Sequence, residues 1–193
     1  MQRGDRQAAK SRAALKQAFK LLLKQKGYGE ITVGEIADMA NIGRSTFYRH
    51  FQGKADVLIA LHEDIFNRIF LDESMPMEWL AETPPLALRR FISGIYDTGG
   101  PMVSLAADIG ADVDYIMREA VGMIAGVVEK GLEKLFSDTE YSIPLPVLSQ
   151  SIAGIYGMVL MSWKTSFRDV DDVQLAEYIH RLTRAVIKEA MKK

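Results

Sequence analysis

The chain has 193 residues, of which 48% are hydrophobic and 25% are charged. This composition is close to that of ordinary globular proteins, and it excludes the disordered and fibrous classes. Cysteine is absent, which excludes disulfides, thiol catalysis and zinc sites built on thiolates. The first thirty residues contain many Lys and Arg residues and no clean apolar stretch. We therefore expect no signal peptide and a cytoplasmic location.

The net charge of -1 hides an uneven distribution of charge along the chain. Residues 1–57 contain eleven Lys and Arg residues against five acidic residues, a net charge of +6, whereas the remainder carries a net charge of -7. A polyanion such as DNA would be attracted to the first segment and repelled by the second. Charge alone also fits a basic helix face that merely contacts solvent.

Apolar periodicity and helix-ending residues predict four helices in the first 71 residues. The second helix begins at Thr32, which forms a capping-box pattern with Glu35, and it ends at Asn41, a residue type that tolerates the left-handed conformation of a tight turn. Glycines follow the first and third helices. The predicted helices cover about residues 7–26, 32–41, 44–51 and 54–71.

Prolines separate the helical patterns of the remaining sequence. No strand pattern competes with them. The run from Val147 to Trp163 is apolar, but its length and polar residues such as Ser149 and Gln150 favour a buried or interface helix over a membrane span. The predicted helices lie near residues 84–98, 101–108, 110–137, 145–167 and 171–192.

The second and third helices have the spacing of a helix-turn-helix unit, which a DNA major groove can accept. Ala37 is small where the two helices cross, and Ile42 and Phe47 anchor the third helix. The side chains left facing outward can form hydrogen bonds with bases and phosphates. They are Arg44, Ser45, Thr46, Tyr48, Arg49 and His50.

The stretch ITVGEIADMANIGRSTFYRHFQGKADVL, residues 31–58, resembles the DNA-binding domain of the TetR family of regulators. The resemblance covers helices one to four and implies that Thr32 binds phosphate, that Arg44, Ser45 and Thr46 face bases, and that Tyr48, His50 and Lys54 hold the DNA backbone. Arg49 fits either role. The sequence departs from the family pattern at three positions: Asn41 and Gly43 replace the common Gly and Ser, and Ser45 replaces a common Gly.

The resemblance implies an all-α fold, with a helix-turn-helix DNA-binding domain over residues 1–58 and a helical effector-binding and dimerisation domain over residues 59–193. Met and aromatic side chains suit an adaptable apolar pocket, although each of them singly is more often ordinary core. The candidate pocket residues are Phe66, Phe70, Met77, Trp79, Tyr96, Met102, Tyr115, Met123 and Trp163.

The last two predicted helices carry apolar faces typical of a four-helix dimer interface, or of an intramolecular core. The candidate interface residues are Ile152, Ile155, Tyr156, Val159, Tyr178 and Leu182. Neither His62 nor His180 has a metal-ligand partner at a suitable spacing, and no catalytic constellation is recognisable, so we expect neither an enzyme nor a cofactor.

Together with the helix-turn-helix pattern, the resemblance implies a homodimeric repressor that binds near-palindromic operator DNA and is released by an unknown small-molecule effector. An alternative keeps the DNA-binding domain but gives the C-terminal domain a protein partner in place of a small ligand. A roomy Met-lined cavity would favour the first interpretation, and a filled core would favour the second.

Overall fold

The computed structural model describes residues 3–70, 76–97, 109–167 and 169–192, and these residues form eight α-helices and no β-strand. Three short 3-10 helices cover Tyr28–Glu30, Pro76–Trp79 and Gly110–Asp112. The α-helices are α1 (Arg3–Leu23), α2 (Val33–Met39), α3 (Arg44–Tyr48), α4 (Lys54–Phe70), α5 (Leu86–Asp97), α6 (Val113–Leu135), α7 (Leu145–Ser166) and α8 (Asp172–Ala190).

An N-terminal hydrophobic cluster joins α1, α2, α3 and the first half of α4. The apolar side of α1 supplies Leu15 and Phe19, both with no exposed surface, while its lysines face outward or lie at the edge. Phe47 of α3 is also fully buried and fixes that short helix to the others. Burial of an aromatic side chain of this size gives α3 a stability that five residues could not supply alone.

Local hydrogen bonds set the geometry of the helix-turn-helix as the sequence predicts. The Thr32 hydroxyl accepts a hydrogen bond from the Glu35 amide at 3.3 Å, and the Thr32 amide donates to the Glu35 carboxylate at 2.9 Å. Asn41 adopts a φ of 53°, so the chain turns there in the left-handed region. Gly43 is the N-cap of α3. The capping box, the Asn turn and the α3 start are confirmed.

A second, larger cluster forms the C-terminal part of the fold, where α6 packs on α7, α7 on α8, and α5 on α8. Its centre includes Leu132 of α6, Ile152 and Trp163 of α7, and Ile179 of α8, each almost or fully buried. The stretch Leu145–Trp163 in α7 is long and apolar enough to cross a membrane, with a mean hydropathy of 1.4. One side of it packs into this cluster, so burial in a helical core accounts for the apolar residues of that side, while Val147 and Met158 on the other side are exposed.

Helix α4 belongs to both clusters. Val57 and Leu58 lie in the N-terminal cluster, and Phe66, two turns further along, is 1% exposed in the C-terminal cluster. Helix α6 packs along α4 and adds Ile116 to the N-terminal cluster. The predicted division between residues 58 and 59 therefore falls inside one continuous helix, which connects the two parts mechanically.

The predicted helices and the observed ones differ mainly at their ends. Helix α1 begins at Arg3 and ends at Leu23, a few residues earlier than predicted at each end. Helix α3 ends at Tyr48, since the chain then turns toward Asp56, whose carboxylate accepts the amides of Gln52 and Gly53 at 2.6 and 3.3 Å. The helix predicted near residues 101–108 lies outside the described residues.

Candidate nucleic-acid interface

The outer face of α3 presents polar side chains, as the sequence predicts. Arg44, Ser45, Tyr48 and Arg49 are exposed, and Tyr48 has 58% of its surface accessible. The rings of Phe47 and Tyr48 meet edge to face, with centroids 5.4 Å apart. The buried ring thus orients the neighbouring exposed one, so that the Tyr48 hydroxyl is available to an external partner.

Two arginines on this face have different local contacts. The guanidinium of Arg49 donates a hydrogen bond to the Thr46 hydroxyl at 2.8 Å. The guanidinium of Arg44 lies over Gly34 of α2, so close that a Cβ placed at Gly34 would be 2.7 Å from Arg44 Nη2. The missing side chain at Gly34 therefore gives Arg44 room to lie across α2 at the start of α3. His50 follows α3 and is half-buried.

Thr32, the predicted phosphate contact at the start of α2, is exposed. Its hydroxyl also donates to the Glu35 carboxylate at 2.9 Å, and the Lys26 ammonium donates to the same carboxylate at 2.5 Å. These contacts lower the pKa of Glu35 to about 2, with the hydrogen bond from Lys26 as the largest cause and those from Thr32 next. The start of α2 is therefore fixed by an ionised carboxylate at neutral pH.

Lys54 has intramolecular partners that the sequence did not predict. Its ammonium donates to the carbonyl oxygens of Tyr28, Gly29 and Ile31 at 2.8, 3.3 and 3.0 Å. It also lies 4.3 Å from the centroid of the Tyr28 ring, a cation–π distance. An ammonium has three hydrogens to donate, and three carbonyls of the loop between α1 and α2 receive them. Lys54 therefore holds that loop, and its contact with the DNA backbone stays a prediction.

Two tyrosine hydroxyls connect the DNA-binding helices to the first turn of α6 and the residue before it. Tyr28 donates to Asp112 at 2.8 Å, and Tyr115 donates to the second carboxylate oxygen of Asp56 at 2.6 Å. Burial, followed by the Asp112 hydrogen bond, raises the pKa of Tyr28. The Asp56 hydrogen bond, followed by burial, raises the pKa of Tyr115 to about 12. Both hydroxyls therefore stay protonated and continue to donate at neutral pH. Sequence spacing gave no signal for these pairs, because their members are 84 and 59 residues apart.

A small apolar cavity of about 40 Å³ lies among α4, α6 and α7. Phe66, Met117, Ile124, Gly157 and Met161 are among the side chains and backbone that line it. The cavity is much smaller than the roughly 300–1,000 Å³ of a typical ligand pocket. One polar side chain, His62, lies in its wall, although we expected no functional role for this histidine from its spacing.

The predicted pocket residues are dispersed in the structure. Phe66 lines the cavity, whereas Trp79 and Trp163 are core residues, 6% and 1% exposed, and Met123 is partly buried against that core. Tyr115 does not line this cavity: it is 37% exposed, donates to Asp56 and lines an open groove of about 420 Å³ together with Tyr48. Met102 and the side chains of Phe70, Met77 and Tyr96 lie outside the described residues.

The predicted interface residues fall on two sides of α7 and α8. Ile152 and Tyr156 are 0% and 2% exposed inside the subunit, so we correct their assignment from interface to core. Ile155 and Val159 are partly buried, and Tyr178 and Leu182 are 39% and 49% exposed. Val147 and Met158 of α7 and Val173 of α8 are also exposed, and the prediction missed them.

In the part of the chain that the structure describes, no group of three or more His, Cys, Asp or Glu residues is arranged to hold a metal ion. His180 contacts the Ala81 carbonyl through Nε2 at 2.9 Å. Asp112, which belongs to the acidic run at the start of α6, accepts the Tyr28 hydroxyl. The exposed polar side chains of α3 and the start of α2 are the candidate interface.

Comparison with known sequences places this geometry among bacterial regulators. Residues 14–61 match the family described as bacterial regulatory proteins, tetR family. The chain is 32% identical over 102 residues to the HTH-type transcriptional regulator EthR of Mycolicibacterium smegmatis, a match covering 51% of this chain and 47% of that protein. It is 35% identical over 75 residues to the dhaKLM operon transcriptional activator DhaS of Lactococcus lactis, covering 39% of each chain. The matched regions thus span less than half the length of these curated relatives.

Comparison with solved structures extends the likeness of fold to almost the whole chain. The Thermus thermophilus transcriptional repressor FadR, solved in complex with lauroyl-CoA, superposes with a TM-score of 0.60 at 18% identity. That match covers 94% of this chain and 96% of the other. At this identity the likeness establishes the arrangement of helices in both parts of the molecule.

Proposed function

The chain belongs to the TetR family of bacterial regulatory proteins, and from that premise we propose that it is a cytoplasmic homodimeric repressor released from operator DNA by a small-molecule effector. The family is one of DNA-binding regulators, in agreement with the expectation that the chain is no enzyme. The observation that carries the proposal is the position of α4, which packs against α1 at one end and lines an apolar cavity further along.

DNA reading is assigned to α3 and the start of α2. Arg44, Ser45 and Thr46, at the N-terminal end of α3, are placed to contact base edges in a major groove, where arginine pairs two-pronged with guanine. Tyr48 and His50 would contact the DNA backbone on one side of the groove, and Thr32 would contact it on the other side. Arg49 would contact either a base or the DNA backbone. Exposure of Arg44, Ser45 and Tyr48, together with the net charge of +6 over residues 1–57, supports this assignment.

A homodimer is proposed through the exposed face of α7 and α8. This face presents Val147 and Met158 from α7 and Tyr178 and Leu182 from α8, each between 39% and 62% exposed in the single chain. Apolar helix faces of this kind are stabilised when two copies form a four-helix contact. Two α3 helices about one turn of DNA apart would then read a near-palindromic operator.

Effector control is assigned to α4. A molecule that enlarges the cavity among α4, α6 and α7 would displace α4, and the Tyr28–Asp112 and Tyr115–Asp56 hydrogen bonds would transmit the change to the DNA-binding helices. An effector shifts the equilibrium only as far as it prefers one conformation. The acyl-CoA ligand named for Thermus thermophilus FadR supports a small molecule in a fold of this kind.

The direct test is selection of binding sites from random DNA, followed by titration of the selected operator. We expect a near-palindromic site, and an affinity that falls steeply with salt because the protein displaces counterions from phosphates. Within α3, Arg44→Ala should relax preference at one base step, whereas Tyr48→Phe should weaken binding to all sequences alike. Absence of any sequence selectivity would contradict the proposal.

A second candidate function gives the C-terminal part a protein partner in place of a small ligand. The observation that favours it is the cavity of about 40 Å³, which leaves little room for an effector without rearrangement. Small apolar compounds that bind the purified protein and lower its affinity for the operator would favour the first candidate. Operator affinity that responds only to a protein bound by the C-terminal part would favour the second.

A further inference from the structure

His62 lies in the middle of α4 and is the one polar side chain among the described residues that line the apolar cavity. Its Nδ1 is 2.8 Å from the carbonyl oxygen of Leu58, one turn earlier in the same helix. A carbonyl oxygen can only accept a hydrogen bond, so Nδ1 must carry the hydrogen and donate it. The helix backbone thus fixes both the position of the ring and the location of its proton.

The other ring nitrogen of His62 is therefore an acceptor. Burial lowers the pKa of His62, which keeps the ring neutral at physiological pH, and a neutral imidazole has one N–H. With that hydrogen on Nδ1, Nε2 presents a lone pair. A ligand hydroxyl that donates to this lone pair would gain one neutral hydrogen bond.

We propose that the effector is an uncharged, largely apolar molecule with one hydroxyl group that donates a hydrogen bond to Nε2 of His62. The inference rests on the proposed function, since it names the chemistry of the effector for that cavity. Donation in this direction distinguishes a phenol or an alcohol from an ether or a ketone of the same shape, because ethers and ketones have no hydrogen to donate.

The rest of the cavity wall argues against a charged effector. Apart from His62, the described lining residues are apolar, as in Ile116, Val121 and Leu160. An ionised carboxylate would be buried there without a cationic partner and would meet the Nε2 lone pair, and both effects are unfavourable.

Entry of the effector requires the cavity to enlarge. Met117 of α6 and Met161 of α7 line it, and unbranched methionines can change rotamer to make space. Gly157 gives little further room, because Val121 of α6 already packs closely against it. The hydroxyl bond to His62 would then hold the effector directly against α4, the helix that joins both parts of the molecule.

The test compares three probes of nearly equal shape: p-cresol, p-xylene and p-toluate, titrated calorimetrically into the full chain at pH 7.5. Because hydroxyl and methyl probes differ in hydration, the decisive quantity is the ratio of the Kd of p-xylene to that of p-cresol, compared between wild type and His62→Phe. We expect this ratio to fall about fivefold in the variant, the size of one neutral hydrogen bond. Leu86→Met, a volume-conserving change at an exposed position of α5 away from the cavity, is the control and should keep the wild-type ratio.

The outcomes separate the inference from the function on which it rests. A ratio unchanged within about twofold, or a p-toluate that binds more tightly than p-cresol, overturns the hydroxyl effector while leaving an effector site in place. Failure of every probe to bind, with no effect of any probe on operator affinity, overturns the effector-binding function as well. If His62→Phe does not fold by circular dichroism, His62→Leu gives the same comparison.

Discussion

The two hydrophobic clusters of this chain differ in the polar contacts around them. The N-terminal cluster is bordered by directional hydrogen bonds: Lys54 holds the loop before α2, and Thr32 and Glu35 fix the first turn of α2. The C-terminal cluster also has bordering hydrogen bonds, such as those from Trp163 to the Val170 carbonyl at 2.7 Å and from Arg184 to the Leu80 carbonyl at 2.9 Å. It is larger, however, and consists mainly of apolar helix faces, with a glycine at the α6–α7 contact and a cavity beside it.

This difference separates a part that keeps its shape from a part that can change it. Hydrogen bonds require set distances and angles, so they hold a reading surface in one geometry. Apolar side chains of similar volume can repack at modest cost, so a cluster of them can admit a ligand. Helix α4 contributes residues to both clusters. A displacement of α4 in the C-terminal part would therefore move the N-terminal part as well.

The largest effect that would test the comparison is expected for Lys54→Met. The variant keeps much of the side-chain length but loses three hydrogen bonds to the carbonyls of Tyr28, Gly29 and Ile31. Hydrogen bonds to charged groups each contribute about 1.5–3 kcal/mol, and Lys54 is partly exposed, so we expect a total loss of about 3 kcal/mol. Urea unfolding measures the change, and Lys20→Met on the exposed side of α1 should shift stability by less than about 0.5 kcal/mol.

A different result for Lys54→Met would support the predicted contact of Lys54 with the DNA backbone. A variant as stable as wild type that binds all DNA more weakly, with a salt slope reduced by about one, would mean that Lys54 contacts phosphate. The hydrogen bonds of the N-terminal part would then be less important to its shape than we infer.

A smaller effect is expected from adding a methyl group to the C-terminal packing at Gly157. A Cβ there would lie 2.8 Å from Cγ2 of Val121, a stiff β-branched side chain. Overpacking costs about 1–3 kcal/mol, offset by up to about 1 kcal/mol of improved helix propensity, so Gly157→Ala should destabilise by about 1–2 kcal/mol. Gly122→Ala is the matched control on α6, because nothing lies within 4 Å of its added Cβ. Equal stabilisation by both substitutions would show that the α6–α7 contact repacks freely.

The N-terminal part shows which contacts could be predicted from the sequence and which could not. The helix-turn-helix was predictable because its signals are local: the Thr32–Glu35 box, the Asn41 turn and the Phe47 anchor act within a few residues of themselves. The partners of Lys54 were not, because they are backbone carbonyls 23 to 26 residues earlier and have no side-chain signature.

In the C-terminal part the helices were predictable, but their contacts were less so. Helix α7 is apolar on several sides, so its periodicity could not separate the buried Ile152 and Tyr156 from the exposed Met158. A single histidine on an apolar helix face gave no reason to choose His62 as a cavity residue. Which apolar faces meet depends on contacts between distant helices, and a single sequence does not report them.

A still smaller effect is expected for the junction between the two parts. Tyr115→Phe removes the hydroxyl that donates to Asp56 at 2.6 Å, while the amides of Gln52 and Gly53 still donate to that carboxylate. Since Tyr115 is exposed, we expect a loss of about 0.5 kcal/mol, with faster hydrogen exchange at the start of α4. Tyr48→Phe is the control: it should leave unfolding unchanged and weaken DNA binding. If both variants changed only DNA binding, the junction would carry no structural coupling.

The smallest effect is a loss of folding stability at acidic pH, which we expect from the N-terminal part and not from the C-terminal part. The pKa of Glu35 is lowered from 4.5 to about 2 in the folded chain, chiefly by the hydrogen bond from Lys26. The unfolded chain therefore takes up a proton at this position at higher pH than the folded chain does. The stabilisation by ionised Glu35 is present above about pH 4.5 and is lost as the pH falls toward 2.

Glu35→Gln should be less stable than wild type at pH 7 and should lose less stability between pH 5 and pH 2.5, as measured by urea unfolding across that range. Glu177→Gln on the exposed side of α8 should follow wild type, and a matching change there would mean that the acid response is not confined to the hydrogen-bonded N-terminal part.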